Sequence, residues 1–329
     1  MGTGKTSVVL FQLGGPDTLE AVEPFLYNLF CDPDIIDFPG ASLFRKVLAR
    51  FISSRRAPRV RELYRRIGGG SPILAQTTLQ AQRLREVLEA KGFLVNVYTA
   101  MRYWHPMTDE VVKRITGEGV ENVILLPLYP QYSKATTGSS VKEWNRVIRS
   151  THTNSFSVRM VEPYFDHPFY IDALVHNIAL SLARVPAHER KNVHLVFSAH
   201  GTPMKLVRDG DPYSKHIAKT YQLVVERGNF GLPNHLCYQS KIGPQRWLEP
   251  SLTDMIRTLA SLKVTHLIVI PMAFVTEHIE TLSEINIEAR EEAESLGIEY
   301  FDMMPALVAG EKFIACLADL VLEKLKNWN

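Results

Sequence analysis

With 329 residues the chain has room for two domains of ordinary size, and its apolar and charged shares, 46% and 22%, are those of a globular protein. A net charge of +2 excludes a global attraction to nucleic acid, and no apolar run approaches the length of a membrane-spanning helix. The three cysteines, Cys31, Cys237 and Cys316, stand far apart without a Cys-x-x-Cys pair; this argues against a disulfide framework, a zinc ribbon or an iron–sulfur cluster and for thiols in a reducing, cytoplasmic compartment.

Taken in chain order, the opening Gly2-Thr-Gly-Lys-Thr6 resembles the end of a phosphate-binding loop. It precedes the first strand and lacks the earlier glycine, so it is read as a polar leader, and no signal peptide is expected. Strands are expected at Val8–Leu13, Val95–Ala100, Val123–Leu128, Val158–Val161, Leu195–Ser198, Leu236–Gln239, Leu267–Met272 and Glu299–Asp302. Helices are expected at Leu19–Phe30, Ser42–Ile52, Leu79–Lys91, Asp109–Thr116, Tyr170–Val185, Tyr213–Arg227, Leu252–Leu262, Ile279–Leu296 and Lys312–Trp328. Such alternation predicts an α/β fold with parallel sheets. Val8 to Pro16 echoes Leu195 to Pro203, and Val123 to Pro130 echoes Leu267 to Phe274. Two similar Rossmann-like domains facing a cleft are therefore expected, 1–155 and 156–304, with the last helix, 305–329, packing back on the first.

Chemistry concentrates at the expected strand ends, where open parallel sheets bind ligands. Phe197-Ser-Ala-His-Gly-Thr-Pro203 ends a strand at His200, and glycine and proline force a turn there. A lone histidine at such an end is more often structural than catalytic. After the strand at 267–272 come Phe274, Glu277, His278, Glu280, Glu284 and Glu288. Their three- and four-residue spacings line the carboxylates along one helix face, either a solvated acidic face or a row relieved by a bound cation. Arg55 to Arg59 and Tyr64 to Pro72 offer arginine forks and a glycine run suited to anions, or else a solvated basic helix and a turn. The stretch Leu43–Ile52 mixes large apolar and basic residues at helical spacing, fitting a core-facing helix or a membrane surface. Arg102 to His105, Tyr129 to Gly138 and Tyr238 to Trp247 add aromatic rings, hydroxyls and cations suited to a large, flat, anionic ligand.

These segments together resemble the ferrochelatases, which insert Fe²⁺ into a porphyrin. The resemblance rests on Gln12 to Pro16, Tyr64 to Pro72, Tyr129 to Ser140, Ser198 to Pro203 with Gly210 to Tyr213, Gln239 to Pro244 with Trp247, and Pro271 to Glu284. It implies two chelatase domains with a porphyrin cleft between them. It implies that His200 is the metal ligand or pyrrole-proton acceptor, that Glu280 is the carboxylate across from it, and that His278 supports that carboxylate. Leu13, Arg56, Arg59, Tyr64, Ser71, Arg102, Tyr103, Ser240, Trp247 and Phe274 match porphyrin-contacting positions, and Glu277, Glu284 and Glu288 a possible metal path. The resemblance moves Leu43–Ile52 towards membrane contact. Members with an iron–sulfur cluster hold it through a cysteine where this chain has Lys134 and through a C-terminal extension, so no cluster and no permanently bound cofactor are expected, Fe²⁺ being a substrate. Asn286 stands where the family's acidic face usually has an aspartate. Protoporphyrin IX is the expected porphyrin, with coproporphyrin III as the alternative, other metals of the same chemistry left open, and a non-catalytic tetrapyrrole carrier as the reading from another class.

Overall fold

The structure, a computed structural model, describes residues 5–35, 41–151, 156–240 and 245–326. Strand β1 (Thr6–Gln12) is buried along its whole length, with Val8, Val9 and Leu10 fully hidden from solvent. An apolar run of this kind, closed on both faces, is what a parallel strand between two helical layers requires. It leads to α1 (Val22–Cys31), α2 (Ala41–Arg66), α3 (Ile73–Ala90), β2 (Asn96–Met101), α4 (Thr108–Gly117), β3 (Asn122–Pro127), α5 (Ser139–Ser150) and β4 (Ser157–Met160). The second series is α6 (Pro168–Arg184), β5 (Val193–His200), α7 (Met204–Arg208), α8 (Tyr213–Gly228), β6 (Asn234–Gln239), α9 (Leu252–Ser261), β7 (His266–Pro271), α10 (Arg290–Ser295), β8 (Tyr300–Met303) and α11 (Glu311–Lys326).

The chain divides into two compact units, Met1–Pro163 with Ile314–Asn329, and Tyr164–Phe313. The boundary expected near Ser155 falls outside the described residues. Each unit contains one four-stranded sheet, ordered β2-β1-β3-β4 and β6-β5-β7-β8, with every pairing parallel. The α/β fold with two similar parallel-sheet domains is therefore present. The internal echo extends to single hydrogen bonds. Leu128 N donates to Phe11 O at 2.9 Å as Met272 N donates to Ser198 O at 3.1 Å. Met101 N donates to Pro106 O at 2.8 Å as Tyr238 N donates to Pro250 O at 2.9 Å. In each sheet the order reverses at the central pair, β1 and β3 or β5 and β7, so the crevice for a ligand lies beyond their carboxyl ends.

Helix α3 begins at Ile73 rather than Leu79, α7 has no counterpart among the expected helices, and three further helical segments differ from expectation. Helix α2 runs through Pro58 to Arg66 instead of stopping at Ile52. Proline removes an interior hydrogen bond, but Ser54, whose carbonyl loses that partner, is exposed and has solvent to bond instead. Helix α5 was not foreseen, because Lys134 to Ser140 is rich in Thr, Gly and Ser. Its buried Trp144 packs against Phe11 with ring centroids 5.9 Å apart. The segment 280–289 is a π-helix rather than the first turns of an α-helix, and only 290–295 continues as α10.

Candidate active site

In unit 2, β5 delivers His200 to the crevice and the loop after β7 delivers Phe274, Glu277 and His278, with Glu280 opening the π-helix. Gly201 N donates to Gln239 O at 2.8 Å, and a Cβ at Gly201 would stand 2.8 Å from that oxygen and 3.4 Å from the Trp247 ring. Only glycine lets the chain turn here with Trp247 against it. His200 Nδ1 lies 3.5 Å from Glu280 Oε1. His278 Nδ1 lies 3.7 Å from Glu280 Oε2 and accepts the Glu280 backbone N–H at 3.1 Å. That bond fixes the His278 tautomer with its hydrogen on Nε2, and it pins the first residue of the π-helix. The Phe274 ring meets His278 edge-on at 4.5 Å.

The electrostatics follow from these distances. Burial opposes a charge on His200, but the Glu280 carboxylate outweighs it and lifts the imidazole above its ordinary value. Glu280, against its own burial, is held well below the usual carboxylate range by His200. The two side chains are still 36% and 27% exposed, so water screens the pair and leaves it open to an incoming ion. Burial lowers His278 below its ordinary value. Glu284 is pushed up to about 7 by burial and then by the Glu280 charge, although it accepts a 2.5 Å hydrogen bond from Ser240 Oγ. Ser240 itself has a left-handed backbone, φ +66°, directly after β6.

The four carboxylates have different surroundings. Glu277 turns into the fold, accepting from Ala306 N at 2.7 Å and from Thr281 Oγ1. Glu288 accepts from Ser283 Oγ, five residues earlier, at 3.0 Å, the spacing that a π-helix aligns. Glu280 and Glu284 are the two whose charges reach His200. Asn286 caps Arg290, accepting from Nη2 through Oδ1 at 2.9 Å and from Nε through its backbone oxygen at 3.1 Å. Among the described residues no cluster of three or more His, Cys, Asp or Glu forms a preorganised metal cage. Residues 241–244 of the motif after β6 lie outside the described residues.

The raised Glu284 has a stability consequence. Its folded value lies above its unfolded one, so its contribution is favourable below the unfolded value and is lost as pH rises through about 7. Glu284→Gln is expected to stabilise the chain by about 1–3 kcal/mol at pH 8 and by nothing below about pH 4, by urea unfolding. Equal stability of the two chains at pH 8 would mean that solvent already screens Glu284.

Unit 1 presents the other candidate residues. Leu13 follows β1, and its carbonyl accepts from Tyr103 N at 3.0 Å. Arg56 and Arg59 are exposed on α2, and the Arg56 guanidinium lies 5.5 Å over the Phe30 ring. Tyr64 is buried, with its carbonyl accepting from Gly69 N at 2.8 Å. Ser71 N donates to Pro16 O at 2.7 Å, and a Cβ at Gly15 would be 2.6 Å from Ser71 Oγ, so the two glycine-rich turns interlock. Arg102 and Tyr103 are not open contacts. Arg102 Nη2 and the Tyr103 hydroxyl each donate to Asp32 Oδ2 at 2.7 Å, Arg102 Nε donates to Ser139 Oγ at 2.7 Å, and Tyr103 is fully buried. Asp32 and Ser139 were not singled out from sequence; the one cue was an aspartate between Cys31 and Pro33 just past a helix end. No described helix is long and apolar enough to cross a membrane.

The family model described as Ferrochelatase matches residues 5–325. A ferrochelatase of Geotalea uraniireducens is 48% identical over 318 residues, covering 96% of this chain and 97% of its own. One of Aquifex aeolicus is 45% identical over 318 residues, covering 96% of this chain and 98% of its own. Among solved structures, SirB from Bacillus subtilis with Fe³⁺ matches with a TM-score of 0.57 at 12% identity, covering 97% of this chain and 95% of its own, a likeness of fold.

Proposed function

The chain belongs to the ferrochelatase family, which makes haem by inserting metal into porphyrin, and we propose that its own substrates are Fe²⁺ and protoporphyrin IX. The observation that carries the catalytic reading is the open His200–Glu280 pair, 3.5 Å apart and braced by His278. Insertion must remove two pyrrole protons and bring a cation to a ring whose nitrogens point inwards. Glu280, ionised and partly exposed, attracts Fe²⁺, and imidazole and carboxylate are both accepted ligands of that ion. The arriving cation cancels the charge that raises His200, so the imidazole releases its proton to water, takes one pyrrole proton and, after passing that to water, takes the second. Phe274 and Trp247 supply flat apolar surface against the macrocycle. Binding energy from these remote contacts strains the ring towards the metalated shape. The turn Gln12-Leu-Gly-Gly-Pro16, similar to that of enzymes acting on protoporphyrin, supports the choice of porphyrin.

Anaerobic insertion of Fe²⁺, followed by the porphyrin absorption change, tests the substrate pair. Turnover is expected with protoporphyrin IX. Turnover with coproporphyrin III alone would overturn the porphyrin assignment, and binding of both without insertion would overturn the reaction.

The membrane surface is the proposed site of contact for α2. Phe44, Val47 and Phe51 are 67%, 71% and 61% exposed and lie at helical spacing, with Arg45, Lys46 and Arg50 interleaved. An apolar face flanked by cations is the pattern of an interfacial helix. Phe44→Ser with Phe51→Ser should weaken sedimentation with anionic vesicles about tenfold or more, since each phenyl ring buries apolar area worth more than about 1 kcal/mol. Unchanged sedimentation would remove the membrane from the reading.

A further inference from the structure

The amino ends of β5 and β6 carry a feature that metal insertion does not use. His194 on β5 and His235 on β6 face each other across the parallel ladder, where His235 is registered with Val196. His194 Nδ1 and His235 Nε2 are 3.0 Å apart. The ring planes are 11° from parallel with centroids 5.2 Å apart. A nitrogen separation so short at that centroid distance sets the rings edge to edge, with one hydrogen between two facing nitrogens. Both rings are partly buried. Among the described residues no carboxylate bonds to either of them. Burial, then the neighbouring ring, lowers His194, and burial lowers His235. An imidazole binds metal in its neutral form.

We propose that His194 and His235 form a second metal site, for a divalent first-row transition ion. Two nitrogens 3.0 Å apart, each about 2.0–2.1 Å from one ion, subtend an angle of roughly 95° at it, between the octahedral and tetrahedral values. The hydrogen between the rings moves to the outer nitrogen of its own ring, so no proton is gained or lost. A turn of each ring about χ2 then points both lone pairs at the ion, and water fills the remaining positions. A neutral pair of imidazoles favours zinc, copper, iron or nickel over magnesium or calcium, which prefer oxygen ligands. His194 lies on the same face of β5 as His200, six residues away, because side chains alternate along a strand. That separation is about 20 Å, so the two sites hold different ions. The strand that ends in the catalytic histidine thus begins in a second metal-binding histidine.

The test is a calorimetric titration of Ni²⁺ into the full chain without porphyrin, on the native protein, His235→Gln and His200→Ala. The native protein and His200→Ala should share a Ni²⁺ equivalent with a dissociation constant well below about 1 mM, and His235→Gln should lack it. His235→Gln should insert metal at the native rate. Crystals grown with Ni²⁺ provide a check independent of variants, with anomalous density expected within bonding distance of both rings. Equal Ni²⁺ binding by His235→Gln and the native protein, or no density between the rings, would overturn the site. Because His200→Ala is expected to retain it, the outcome stands apart from the catalytic reading.

Discussion

His200→Ala is expected to slow metal insertion by about 10²–10⁴-fold, the usual worth of a positioned general base, while porphyrin still binds. The side chain sits at the end of a strand buried on both faces, so truncating its partly exposed ring leaves the sheet intact. Porphyrin affinity, read by fluorescence quenching, should change less than about threefold, because the role argued for His200 is proton removal rather than binding. A variant that keeps more than about a tenth of the native rate would place proton removal on another group. The pH profile supplies a second reading. His200 must be neutral to accept a proton, and Glu280 raises its value, so kcat/KM should fall as pH drops through a point above about 6.5. In Glu280→Gln the largest raising influence disappears and burial remains. NMR titration of the His200 ring should then give a value shifted downwards from that of the native protein. An unchanged value would mean that the 3.5 Å pair does not persist in solution.

The fold was legible where burial dictated the residues. The central strands β1, β3, β5 and β7 were readable because parallel strands closed on both faces must be apolar along their length, and His200 and Glu280 were readable because polar residues broke those runs beyond their carboxyl ends. The echo between Val8 to Pro16 and Leu195 to Pro203 was legible because each segment carries a glycine and a proline just past a central strand, although Gly14 takes a left-handed backbone, φ +85°, that Gly201 does not share. The geometry of the acidic row was less so. An i to i+5 register leaves no hydrophobic period of its own, and it brings Ser283 to Glu288 rather than leaving every carboxylate on a single open stripe. Likewise the arginines 55, 56 and 59 sit on a helix that continues through Pro58, because an exposed Ser54 tolerates the broken bond. The least legible part was the partnership of Arg102 with Asp32. The two are 70 positions apart, and nothing local in either segment encodes the other.

That partnership sets the second large expectation: Asp32→Ala should destabilise the chain by about 3–5 kcal/mol at pH 7, the cost of leaving a buried charge without its partner. Asp32 is 3% exposed and accepts from Arg102, Tyr103, Ser139 and the Asp34 N–H, the last at 2.8 Å. Burial raises its carboxyl, but these donors outweigh it and hold the value below the ordinary one. A depressed folded value means that the stabilisation is present above the unfolded value, near pH 4, and is lost as pH falls through the folded one. The difference between native and variant in urea unfolding should therefore shrink in acid. Asp32→Ala combined with Arg102→Met should lose less than Asp32→Ala alone, because no unpaired cation then remains. Loss of less than about 1 kcal/mol in the single variant would show that water reaches Arg102 and replaces the carboxylate. The same network bears on binding. Arg102 is a porphyrin-pocket candidate whose fork is already engaged by Asp32 and Ser139. That fork instead holds Asp32, to which the Tyr103 hydroxyl also donates, beside the turn after Leu13. Variants that keep the fold should accordingly raise the porphyrin KM more than they lower kcat, since the proton acceptor at His200 is untouched.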